Sequence, residues 1–94
     1  MFIALDFDNT YSRDPEFWNT VIASAQHAGH EVYCVTMRNE GYESREVREA
    51  LANKVDGIFF TDRKAKQPYM FARGICIDVW IDDNPIWINT DAAS

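Results

Sequence analysis

Four short apolar runs, each stopping on a polar residue and parted from the next by enough chain for a helix, constrain this sequence more than any other feature. The runs predict strands over residues 2–5, 31–36, 58–61 and 78–82. Their polar stops are Asp6, Thr36, Thr61-Asp62 and Asp82-Asp83. Continuous apolar runs fit strands covered on both faces better than half-exposed ones, which alternate. The intervening stretches carry helix punctuation. Asp14-Pro15 opens the first helix, with Asp as N-cap and Pro at the first helical position, and Gly29 closes it. Phe17, Val21, Ala25 and Ala28 form its apolar stripe, widened by Trp18 and Ile22. Ser44 caps a second helix with Val47, Ala50, Leu51 and Val55 turned inward, and Pro68 starts a short third helix that Gly74 stops. Residues 86–88 add a strand fragment or a turn, and residues 89–94 have little to bury and are expected to fray.

Strands alternating with helices through short loops mean right-handed crossovers around a parallel sheet, an α/β fold. With 94 residues, the chain is read as one domain, residues 1–94, without repeat or linker. Hydrophobic residues make up 47%, which excludes disorder. The net charge of −6 speaks against a general nucleic-acid coat, because phosphate binding needs excess Lys and Arg. No apolar run approaches the ~20 residues of a membrane span, and residues 1–6 lack a signal-peptide pattern. Cys34 and Cys76 both sit in apolar runs and read as buried free thiols, so a cytoplasmic location is expected.

In an open parallel sheet, the carboxyl ends of the strands share one edge, and ligands bind in the crevice where strand order reverses. Asp6, Asp8, Asp82 and Asp83 are therefore expected to meet there. Two carboxylates ~4 Å apart repel by about 4 kcal/mol at an effective dielectric of 20, so four need protons or a cation. A magnesium ion fits best, because it takes one or two carboxylates and shares its other positions with water and substrate phosphate.

The motifs are more specific than the cluster. FIALDFDNT (residues 2–10) runs a strand into Asp-x-Asp-x-Thr; a strand ends in Thr36; Lys64 or Lys66 precedes a helix; and IDDNP (residues 81–85) follows a strand. In this order they resemble the four motifs of the haloacid dehalogenase superfamily of phosphohydrolases, over residues 2–88. The resemblance implies a Rossmann-like three-layer core with strand order 3-2-1-4. It implies a phosphatase in which Asp6 is the nucleophile that takes up the phosphoryl group and Asp8 the general acid and base. Thr36 and the Met37 amide would hold phosphoryl oxygens. Lys66, with Lys64 as the alternate, would screen charge at Asp6. Magnesium would be held by Asp6, the carbonyl of residue 8, and Asp82 or Asp83.

Asn9, Thr10 and Arg38 are further candidates for substrate contact. Tyr11, Trp80 and Trp87 read as packing, and His27 and His30 fall at the amino end of the sheet, away from the crevice. Neither position where such proteins insert a cap domain has room for one here: residues 11–14 and 58–66 are too short. A capless member suits an exposed phosphate on a nucleotide, a nucleic-acid end or another macromolecule. The competing reading is a catalytically silent binding or regulatory module that keeps the same fold.

Overall fold

The computed structural model describes residues 1–93. It contains β1 (Phe2–Leu5), a 3₁₀ turn (Tyr11–Arg13), α1 (Pro15–His27), β2 (Glu31–Thr36), α2 (Arg45–Leu51), β3 (Gly57–Phe60), α3 (Lys66–Phe71), β4 (Val79–Ile81) and α4 (Ile86–Asn89). The four strands form one sheet in the order β3-β2-β1-β4, and every pairing is parallel.

Strict alternation along the strands sends side chains to two cores. Val32 and Cys34 of β2 join Leu5, Ile22, Val47, Leu51 and Phe60 on the face that α1 and α2 cover. Tyr33 and Val35 join Ala4 and Met70 on the face that α3 covers. Helices on both sheet faces explain why the strands read as continuous apolar runs. The second core is smaller, and α4 lies beside α3.

Several local expectations need correction. Asp14 does cap α1, accepting the Phe17 N–H at 3.3 Å, but Phe17 itself is exposed, and Trp18 and Ile22 carry the contact instead. Ser44 precedes α2 without capping it; its hydroxyl points back to the Gly41 carbonyl. The third helix begins at Lys66, two residues before Pro68, so the proline sits inside its first turn, where no intrahelical N–H is lost. β4 spans three residues rather than five, and of the two alternatives at residues 86–88, strand fragment or turn, the chain takes a turn, one turn of helix over Ile86–Asn89. Cys34 is buried, but Cys76 is exposed. The segment after α4 does not hang free. The Asp91 carboxylate accepts the Ala65 N–H at 2.7 Å, and the Ala92 N–H reaches the Arg63 carbonyl at 2.8 Å. Among the described residues, no helix is long and apolar enough to cross a membrane.

Candidate active site

The strand order reverses at β1: the chain proceeds from it to β2 and β3 on one side, and β4 returns on the other. Leu5 is in register with Ile81, and the Asp6 N–H donates to the Ile81 carbonyl at 2.9 Å. Asp6 and Asp82, each one residue past its strand, are thereby forced side by side. Neighbouring strands run roughly 4.8 Å apart, so two carboxylates here must be neutralised by something else.

Lys66 does part of this. Its Nζ lies 2.9 Å from Asp6 Oδ1 and 2.6 Å from Asp82 Oδ2, with all three side chains nearly sealed from water. The lysine reaches that point because α3 begins at its position, with Met70, one turn on, buried in the second core. Lys64, two residues earlier, is exposed.

Asp83 completes an acidic triad: one carboxylate oxygen from each of Asp6, Asp82 and Asp83 lies within 4.8 Å of the others. Thr10 braces it. Its buried hydroxyl accepts the Asp83 N–H at 3.1 Å and has Asp6 Oδ2 and Asp83 Oδ1 at 3.2 and 3.0 Å as acceptors for its single proton. Thr10, expected among the substrate contacts, is thus a strut inside the cluster. Burial pushes the Asp6 carboxyl up to about 7; Lys66 opposes the rise, while Asp82 and Asp83 add to it. One ammonium among three carboxylates leaves this pocket short of positive charge. A compact all-oxygen donor set of that kind fits a hard divalent cation such as magnesium.

The acidic triad opens into a crevice of about 260 Å³ lined by Asp6, Asp8, Asn9, Thr36, Met37, Arg63, Lys66, Asp82, Asp83, Asn84, Trp87, Ala92 and Ala93. Thr36 is buried at its floor. Asn9 stands at the mouth with φ 60, a left-handed conformation that Asn tolerates, and its N–H is held by the Ser12 hydroxyl. A shallow groove walled by Trp18 and Ile81 shares Asn9, Asp82 and Asp83 with the crevice.

Asp8 departs from the expected meeting of four acids. It lines the crevice, yet both of its carboxylate oxygens are taken by Arg38, at 2.7 and 2.9 Å. Arg38 is fixed in turn by Glu46, by the Glu43 carbonyl and by the Phe7 ring beneath it. The hydrogen bonds it donates to Asp8 push this guanidinium further up from its ordinary value than burial pulls it down. Arg38, a candidate for substrate contact, is engaged with Asp8 in this structure.

Sequence reasoning assigned no crevice role to Asn84, Trp87, Ala92 or Ala93. Trp87, read as packing, lines the pocket because residues 86–89 coil into a helix. Ala92 and Ala93 line it because their segment docks. A polar six-residue tail carries no pattern that signals docking. Tyr11 packs as read: it is buried, stacked on Phe7, and its hydroxyl meets Asn19 at 2.7 Å.

No family model, curated protein or solved structure matches this chain.

Proposed function

We propose that this chain is a magnesium-dependent phosphomonoester hydrolase of the haloacid dehalogenase type, working through an aspartyl-phosphate. The observation that carries this reading is the Lys66 ammonium seated between Asp6 and Asp82 at the reversal of strand order, with Asp83 completing a cation-sized triad. Asp6, Asp82 and Asp83 would hold magnesium, which supplies charge neutralisation to the phosphoryl oxygens when bound.

The chain's own groups divide the remaining work. An ionised Asp6 oxygen attacks phosphorus, and the ester P–O bond breaks. The departing oxygen takes a proton from Asp8. Asp8 then removes a proton from water, water attacks phosphorus, and the bond to Asp6 breaks, releasing inorganic phosphate and restoring both carboxyls. Lys66 offsets the charge at Asp6, and Thr36 with the Met37 amide holds phosphoryl oxygens. Asp8 enters this cycle only by turning from Arg38 toward the leaving oxygen and taking up a proton from solvent, since Arg38 donates to both its oxygens in the resting site. The open crevice suits an exposed phosphate on a small molecule or a macromolecule.

That same ion pair favours the second reading, a silent module of the same fold whose acid stays locked. Hydrolysis of an aryl phosphate, measured with and without magnesium, separates the two. Magnesium-dependent turnover that vanishes in Asp6→Asn is the expected result. Magnesium binding with no turnover of any phosphomonoester in a broad panel would establish the module.

A further inference from the structure

The loop that delivers Lys66 is strained and is held from outside. Asp62 and Arg63 both take left-handed conformations, with φ 53 and 69, although neither is glycine. Each such residue costs about 1 kcal/mol and persists only where its surroundings over-determine it. On one side the loop is tied to the end of β2: the Arg63 N–H and guanidinium both donate to the Met37 carbonyl, at 3.0 and 2.6 Å. On the other side it is tied to the segment after α4. Ala92 donates to Arg63, and Asp91 accepts from Ala65, the residue directly before Lys66. Two bonds from consecutive residues therefore bracket the loop immediately ahead of the lysine, while Ala92 and Ala93 form part of the crevice wall.

We propose that Asp91 is a positioning residue for Lys66, and that residues 91–93 form a fixed wall of the site. Asp91 acts on the chain entering α3, not on substrate. Without it, the Ala65 N–H loses a charged acceptor, the left-handed pair is free to relax, and the ammonium drifts from between Asp6 and Asp82. The kinetic consequence depends on the proposed hydrolase activity; the spectroscopic consequence does not.

The test compares Asp91→Ala with Asp91→Asn in the full chain, since an Asn side-chain oxygen can still accept the Ala65 N–H. The Lys66 ammonium signal in ¹H–¹⁵N spectra is visible only while burial and two carboxylates slow its exchange. The parent and Asp91→Asn are expected to keep that signal, and Asp91→Ala to lose it with the other amide signals in place. For aryl phosphate hydrolysis, kcat falls roughly tenfold in Asp91→Ala with KM little changed, as a displaced catalytic group requires, and Asp91→Asn restores it. Should Asp91→Ala fail to fold, Ala92→Pro removes the N–H that reaches Arg63 and carries the same expectations. An ammonium signal and kcat retained in Asp91→Ala, even at a lowered Tm, would overturn the proposal, as would equal losses in Ala and Asn. If the parent hydrolyses nothing while the signal still collapses only in Asp91→Ala, the activity reading fails and the positioning role stands.

Discussion

Asp6 bears the conflict on which the site depends. Its carboxyl is buried beside two other acids, and burial raises it from 3.8 to about 7 despite Lys66. A carboxyl raised on folding keeps its proton in the native state after the unfolded chain has lost it. Between about pH 4 and pH 7 the native state therefore binds more protons than the unfolded one, and stability falls as pH rises through this window. In the absence of divalent ions, Asp6→Asn should flatten that slope and raise stability at pH 8 by on the order of 2 kcal/mol, allowing for the partner Lys66 loses. Thermal melts of both proteins from pH 4 to pH 8 check this; parallel profiles would show that Asp6 is not under strain. The Cys34 thiol, also buried in this region, is pushed up by its burial and stays a neutral core side chain.

Leu51 of α2 and Met70 of α3 are both completely buried, in separate cores on opposite sheet faces. Truncating either leaves a cavity and should cost about 3 kcal/mol. The consequences for the site differ. Leu51 supports a helix that reaches toward the crevice through Glu46 on Arg38. Met70 lies one turn from Lys66 on the helix that presents the ammonium. Leu51→Ala and Met70→Ala should therefore lower Tm alike, while only Met70→Ala lowers kcat of the folded fraction, measured below both melting points. Equal kcat in the two variants would mean that the Lys66 loop, not its helix, fixes the lysine.

At the scale of the whole molecule, the sheet brings acids from opposite ends of the sequence to one point, so an ion bound there joins residues that unfolding separates. Magnesium at a hundred times its Kd should stabilise the fold by about 2.7 kcal/mol. The ligands must be ionised to bind, so the gain in Tm should be larger at pH 8, above the value of about 7 for Asp6, than at pH 5. Calorimetric melts at the two pH values decide it; a shift of equal size at both would place the ion elsewhere on this acidic surface.

The parallel α/β class could be read from the sequence alone, because a strand covered on both faces must be apolar throughout and its polar stop marks the carboxyl edge. Asp6, Thr36 and Asp82 were visible for that reason. Other features lay beyond local pattern. The start of α3 at Lys66, ahead of its proline, depends on how the chain leaves a strained turn. The capture of Asp8 by Arg38 joins residues 30 apart, and the docking of Asp91 at Ala65 joins residues 26 apart. Periodicity records which face a side chain must bury. It carries no record of which polar partners meet once distant segments are packed together, and here only the tertiary structure made those pairings.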